Sequence, residues 1–287
     1  MMSRALEIGP PRKFGFELVL LAVLLLAAYF QVIIGLVSDW WTDPNYSHGF
    51  LVPPIALFLI WKKRNQLKAI EKEKSHSGFI IFLVGLFIYI MGTAGVEYSS
   101  VRFSLVTVIF GLVLYFFGKE FMKQIWFGII FLLFMIPIPY VIYYALAFPM
   151  QMLSTKVSVF ALHLVGVPAL REGNIIYLPG DYALEVAEAC SGLRSLVSLL
   201  ALGALLAYLL QKSKIKQVIL FLSTVPIAIV ANFFRVFVTA VGAYAISIKL
   251  AENFLHEVSG IFVFLVSTFL LLGVSLVLSM LGRKELT

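Results

Sequence analysis

The chain has 287 residues, of which 61% are hydrophobic and 13% charged, with a formal net charge of +7 and a single cysteine. This apolar fraction and a mean hydropathy of +1.01 exclude an ordinary soluble protein. Runs of about twenty apolar residues each indicate a polytopic membrane protein. One cysteine excludes an intramolecular disulfide.

The first half of the chain predicts five membrane spans. The first apolar run, residues 18–37, has span length and no small-residue cleavage pattern, so we expect it to stay as an anchor. The run at 49–61 is short and contains Pro53 and Pro54, so it spans only if its ends are extended or the bilayer thins locally. Three further spans are predicted over residues 78–95, 102–118 and 124–145.

The second half of the chain is more varied. Polar side chains scattered through residues 146–168 favour an interfacial or re-entrant helix over a crossing. Two β-favouring runs then flank Pro179, Gly180 and Asp181, which is the composition of a hairpin turn. The last three spans are predicted over residues 191–210, 217–245 and 259–281.

The predicted fold is therefore an all-α polytopic membrane protein that forms a single integral membrane domain over residues 1–287. It contains about eight transmembrane helices, one interfacial helix and a short outer β-hairpin-like segment. Membrane lipids surround such a fold.

The distribution of basic residues predicts the orientation of the chain. Sixteen of the 22 lysines and arginines fall in the predicted inner segments, whereas the outer segments hold only four: Arg102, Lys156, Arg171 and Lys249. The positive-inside rule then places both termini in the cytoplasm of a multi-pass protein of the cytoplasmic membrane. The positive charge follows from topology, so it implies no nucleic-acid partner.

Three residues that are distant in the sequence reach one depth in this topology. Cys190 lies at the outer end of the sixth span, and His256 lies in the outer loop before the eighth. Arg235 follows Gln217 by 18 residues, which is about 27 Å of helix and close to the thickness of a bilayer. A thiol, an imidazole and a guanidinium are therefore predicted together at the outer face.

These three groups suit nucleophilic catalysis. A helix N-terminus stabilises the thiolate form of a cysteine such as Cys190. Histidine can give a proton to a leaving amine, and arginine can stabilise a tetrahedral intermediate. Taken singly, each residue also has a structural interpretation: an inert cysteine, a surface histidine, and an arginine that anchors the helix at the interface or pairs with Glu188.

Residues near the thiol, and one histidine in the first outer loop, are secondary candidates. Glu185, Glu188 and Arg194 flank Cys190 and either orient it or, for Glu188 and Arg194, form a structural ion pair. Ser191 is a candidate helix cap, and Gly192 allows close approach of backbone or substrate. His48 either helps to bind substrate at the same site or is a hydrogen-bonded loop histidine. The four histidines are dispersed and no phosphate loop occurs, so we predict no metal and no organic cofactor.

The segments EACSGLRSL, NFFRV and HEVSG, in this order, resemble the exosortase/archaeosortase family of membrane cysteine transpeptidases. WWTDPNYSHGFLVPPI and FMIPIPY are also similar to that family, so the resemblance covers about residues 38–282. It implies that Cys190 is the nucleophile, Arg235 the stabiliser of the intermediate and His256 the general acid and base. The implied substrates are exported proteins with a C-terminal sorting signal made of a short motif, a transmembrane helix and a basic tail. Cleavage at the outer face and transfer to an envelope acceptor are implied as well.

Two other functions compete with this interpretation. A transporter or flippase would carry charged or helix-breaking residues at mid-membrane depth in several spans, whereas here the charges avoid the span centres. An acyltransferase would use Cys190 to carry a lipid and would form a lipid thioester. The hairpin-like stretch 174–186 has two interpretations of its own, a strand that pairs with an extended substrate or a simple cover over the helix ends.

Overall fold

A computed structural model describes residues 15–180, 182–186, 193–246 and 256–281; for residues 15–18, 193–194 and 256–259 it describes the backbone alone. The helices are α1 (Gly15–Thr42), α2 (Val52–Lys62), α3 (Arg64–Lys68), α4 (His76–Ala94), α5 (Tyr98–Phe131), α6 (Tyr140–Leu164), α7 (Leu193–Leu210), α8 (Lys214–Ala245) and α9 (His256–Leu281). Two short 3-10 helices cover Ser47–Phe50 and Leu132–Met135, and three strands are β1 (Leu170–Glu172), β2 (Ile175–Leu178) and β3 (Tyr182–Glu185).

The predicted fold class is confirmed. Within the described residues, six helical stretches are long and apolar enough to cross a membrane, and two shorter apolar helices cover Ser47–Lys62 and Ser195–Leu210. The remaining regular structure of this part of the chain is the short helix α3 and the small sheet. The protein is thus a multi-pass membrane protein, while the side of the membrane that each end faces stays a prediction.

Helices α4 and α5 pack closely because α4 carries a glycine every seventh residue on one face. Gly78, Gly85 and Gly92 lie against Tyr115, Val108 and Val101 of α5, respectively, in an antiparallel order. A side chain at Gly78 would meet the α5 backbone itself. Small residues of this kind allow two helices to approach closely in lipid, where dispersion contacts stabilise the pair.

Helix α5 reverses direction at Gly118, which has φ 82° and ψ 178°. In a straight helix Arg102 and Met135 would be about 50 Å apart. Instead they contact neighbouring residues of α1: Arg102 Nη1 lies 2.7 Å from Asp39 Oδ2, and Trp40 Nε1 donates to the Met135 carbonyl at 2.8 Å. The two arms of α5 therefore run antiparallel.

The predicted span 124–145 is not one continuous helix. Helix α5 ends at Phe131, a 3-10 turn follows, and residues 136–139 are extended before α6 begins at Tyr140. Pro137 and Pro139 have no amide hydrogen to donate, and each restricts the residue before it. Residues 140–145 consequently begin a new helix.

Helices α7, α8 and α9 form an antiparallel group whose two ends can be told apart. At one end Gln211 Nε2 of the α7–α8 loop donates to the Ser275 carbonyl of α9 at 2.9 Å, and Lys216 Nζ of α8 donates to the Leu278 carbonyl at 2.6 Å. The opposite end therefore contains the start of α7, the end of α8 and the start of α9. We call this opposite end, marked by Leu193, Ala245 and His256, the site end.

Helix α6 stays at the site end throughout its length. Tyr143, in its first turn, packs with Leu196 near the start of α7. Leu162, in its last turn, packs with Val236 and Ala240 near the end of α8. A crossing helix would reach the opposite end of the α7–α8 pair. Helix α6 is long and apolar enough to span, and its interfacial placement stays a prediction.

The sheet covers the site end and extends the predicted hairpin by one strand. Its order is β1-β2-β3, and both pairs are antiparallel. Gly173 and Gly180 have positive φ values of 60° and 89° in the two turns. Ile176 and Val186 are buried in the cluster that contains Leu162 of α6 and α8 residues, so one face of the sheet packs on both helices.

Candidate active site at the site end

Arg235 is a buried arginine near the end of α8. Only 6% of its surface is exposed, and the Thr239 hydroxyl donates to its backbone carbonyl at 2.8 Å. Its guanidinium lies against Gly260 of α9, where a methyl group would be 3.8 Å from Nη2. A guanidinium is costly to bury unless it is hydrogen-bonded or paired, so the surroundings of Arg235 fix its position.

His256 is the first residue of α9, exactly one helical turn before Gly260. Residues four apart share one face of a helix. The contact between Arg235 and Gly260 therefore brings the arginine to the helix turn that begins with the predicted general acid. The imidazole itself lies outside the described side chains.

The predicted nucleophile segment lies between two described elements. Cys190, Glu188, Ser191 and Gly192 are outside the described residues, and of Arg194 only the backbone is described, in the first turn of α7. Strand β3 on one side and α7 on the other both lie at the site end. Glu185, the last residue of β3, is exposed and opposite Ile175 of β2.

His48 joins three segments of the chain through its ring nitrogens. Nε2 lies 3.1 Å from the Phe134 carbonyl, and Nδ1 lies 3.3 Å from the Ser198 hydroxyl of α7. A carbonyl only accepts, so Nε2 carries the hydrogen, and in the neutral ring Nδ1 accepts from Ser198. This hydrogen-bonded state matches the structural interpretation of His48; a contact with substrate stays a prediction.

His48 therefore connects the first half of the chain to α7, and Arg235 lies at the same end of the bundle. A family model for transmembrane exosortases (EpsH) matches residues 40–273, which is most of the chain. The chain belongs to the transmembrane exosortase family. No curated protein and no solved structure matches it.

Membership of this family makes the protein a membrane transpeptidase that acts on the sorting signals of exported proteins. The family match includes the segments that carry Cys190, Arg235 and His256. The individual roles of these residues, the face of the membrane and the chemical steps are proposals.

The exosortase also has buried polar residues on α6 that sequence reasoning left without a role. Asn232, one turn before Arg235, is 1% exposed and donates through Nδ2 to the Ser154 hydroxyl at 2.9 Å. Gln151 and Ser158 lie on the same face of α6 and are buried. The spacing of the polar residues at positions 151, 154 and 158 places them on one helix face. This spacing is the sequence feature that could have indicated a buried polar surface on α6.

Arg102 is a partly buried cation of the exosortase that forms an ion pair between two helices. It pairs with Asp39 at 2.7 Å beside a cavity of about 580 Å³ that Tyr46 and Glu97 also line. The pair holds α1 to the first arm of α5. In the part of the chain that the structure describes, no three histidine, cysteine or acidic residues are grouped as metal ligands.

Proposed function

We propose that this exosortase cleaves C-terminal sorting signals through a thioester on Cys190, with Arg235 and His256 as its catalytic partners. The observation that carries the proposal is the burial of the Arg235 guanidinium against the first turn of α9, which begins at His256. The substrate is an exported protein with a short motif, a transmembrane helix and a basic tail. Its scissile bond precedes the transmembrane helix.

The first half of the reaction forms the acyl-enzyme. The Cys190 thiolate attacks the scissile carbonyl carbon, a C–S bond forms, and the carbonyl electron pair moves to oxygen. The Arg235 guanidinium stabilises that negative charge with a rigid, forked set of donors. The intermediate then expels the amine of the C-terminal fragment, which takes its proton from protonated His256.

The second half releases the acyl group. A nucleophile of the cell envelope gives its proton to the now neutral His256 and attacks the thioester carbon. The C–S bond breaks, and the electron pair returns to sulfur as the thiolate. Transfer to an envelope acceptor and hydrolysis by water differ only in the nucleophile that attacks.

The proposed site faces the outer side of the cytoplasmic membrane. Three predicted inner segments, residues 62–77, 118–124 and 211–217, hold 11 of the 22 lysines and arginines and lie at the opposite end of the bundle in the described part of the chain. There Lys63 donates to the Gln124 carbonyl at 2.7 Å, and Lys214 lies over the Trp126 ring. Basic and aromatic side chains of this kind are typical of the cytoplasmic interface.

The test is the covalent adduct on Cys190. A tagged exported protein with a C-terminal transmembrane helix and basic tail is expressed with either the parent enzyme or Cys190→Ala. We expect Cys190→Ala to reduce cleavage by at least about 1000-fold while the protein accumulates normally in the membrane. Intact-mass measurement of the trapped parent enzyme should show the N-terminal part of the substrate on Cys190.

Two outcomes would contradict the proposal. Cleavage by Cys190→Ala at the parent rate would remove the thioester step altogether. An adduct with the mass of a fatty-acyl group would assign the thiol to lipid transfer instead, which is the acyltransferase alternative.

A further inference from the structure

Gln151 on α6 is a buried residue whose carboxamide has no hydrogen-bond partner among the described residues. The residue is 7% exposed, and among the described residues its side chain has no hydrogen-bond partner; the Thr155 hydroxyl donates to its backbone carbonyl only. A largely buried amide without a protein partner is less stable than a paired one. Such a group at a catalytic end of a molecule suggests a partner that arrives with the substrate.

The position of Gln151 on its helix points it at the site. The buried face of α6 includes Tyr143, Gln151 and Ser154, and Gln151 lies near the centre of that face by helical periodicity. Tyr143 packs with Leu196 of α7, whereas Ser154 accepts the hydrogen bond from Asn232 of α8. Gln151 is therefore placed between the contacts of α6 with α7 and with α8.

The same contacts relate Gln151 to the proposed catalytic groups. Asn232 precedes Arg235 by one turn of α8, and Leu196 lies in the first turns of α7, the helix that follows Cys190. Helix α6 packs on one side of the α7–α8 pair, and Arg235 contacts α9 on another. Gln151 and Arg235 thus approach the start of α7 from two different helices.

The carboxamide differs from the other unsatisfied polar groups nearby. The hydroxyls of Ser158 and Ser267 are sealed from solvent and have no partner in the described part of the chain. The amide of Gln151 is unpartnered but not sealed, so it borders a space that a probe of water size can reach. A group in such a space can bind a substrate, whereas a sealed hydroxyl cannot.

We infer that the Gln151 amide donates a hydrogen bond to the carbonyl oxygen of the scissile peptide bond and so assists Arg235. This inference rests on the proposed function. A neutral amide adds a second, fixed donor direction without adding a second charge to the buried site. A donor aimed at an oxygen that becomes negative contributes most in the transition state, so its removal should lower the rate of acylation more than substrate binding.

The test replaces the amide by groups of the same shape. Gln151→Met keeps the length of the side chain and removes its polar atoms. Gln151→Glu keeps the acceptor oxygens and removes the donors at neutral pH. We expect both to slow single-turnover cleavage by about 100-fold, and Gln151→Met to keep or raise the melting temperature, because it removes an unsatisfied buried amide. Ser158→Ala on the same helix face is the matched control and should cleave at the parent rate.

Each other outcome counts against the inference. Normal cleavage by Gln151→Met, or by Gln151→Glu, would show that no amide donor is needed. A lower melting temperature of Gln151→Met that accompanies the loss of cleavage would assign the amide to packing. Cys190→Ala in the same assay separates the two proposals, because its normal cleavage would refute the thioester mechanism, whereas its failure together with normal Gln151→Met cleavage refutes only the role of Gln151.

Discussion

At the scale of a single residue, the surroundings of Arg235 differ from those of an arginine that anchors a helix at the membrane interface. An anchoring cation reaches the interface with its charged group in water, but Arg235 is 6% exposed and its guanidinium lies against Gly260 of a neighbouring helix. A buried, planar group of this kind is positioned by its shape as well as by its charge. Lysine keeps the charge and loses the fork.

We expect Arg235→Lys to accumulate normally and to cleave about 100- to 1000-fold more slowly than the parent, which corresponds to about 2.7–4 kcal/mol of lost transition-state stabilisation. Precursor with its C-terminal helix attached should build up on an immunoblot. The control is Arg171→Lys in β1, because Arg171 is exposed. Near-normal processing by Arg235→Lys would exclude a catalytic requirement for the forked guanidinium. Loss of the variant protein from the membrane would indicate that Arg235 forms a structural ion pair.

Sequence reasoning selected Arg235 and His256 as candidates because the predicted topology places both near the outer face of the membrane. It missed Gln151 and Ser154, since a mixed polar and apolar stretch looks the same whether its polar face meets headgroups or other helices. Only the packing of α6 on α7 and α8 decides between the two. The contact of Arg235 with Gly260 joins two helices and has no local signature.

At the scale of elements, β3 has one paired and one open edge. Val186 N donates to the Asn174 carbonyl at 2.9 Å, and the register continues with Leu184 opposite Ile176. Paired and unpaired positions alternate in an antiparallel ladder, so the backbone groups of Ala183 and Glu185 point away from β2. Within the described residues no strand pairs with that edge.

This alternation sharpens the choice between a substrate-binding strand and a cover. If an extended substrate pairs with β3, Ala183→Pro and Glu185→Pro should reduce cleavage at least about tenfold, because proline removes the outward donors. Leu184→Pro is the contrasting variant, since it removes a bond to β2 and should lower the melting temperature. Parent-like cleavage by both outward variants, at equal protein level, would leave only the cover.

The elements that the sequence predicted best are those with local signals. The hairpin turn was visible in Pro179 and Gly180. The break at Pro137 and Pro139 was not predicted, because the fifth span was placed over residues 124–145. The third strand was missed because Leu170–Glu172 is short and exposed along its length. The reversal at Gly118 agrees with the predicted boundary between the spans 102–118 and 124–145, although the turn is a single non-helical residue and not a loop.

The whole molecule gathers its proposed chemistry at one end and its basic surface at the other. We expect a membrane-impermeant thiol reagent to label Cys190 in intact spheroplasts, because the distribution of lysines and arginines predicts that the opposite end of the bundle faces the cytoplasm. Mass spectrometry of the purified protein measures the label, with Cys190→Ser as the blank. Labelling seen only after the membrane is opened would invert the topology and place the site inside.

The turn at Gly118 also constrains how this protein is made. A single residue with non-helical geometry, Gly118, separates the two arms of α5. The arms thus lack a flexible linker that would let one arm stay in water while the other enters the bilayer. We therefore expect the two arms to enter the bilayer together, as a closed helical hairpin.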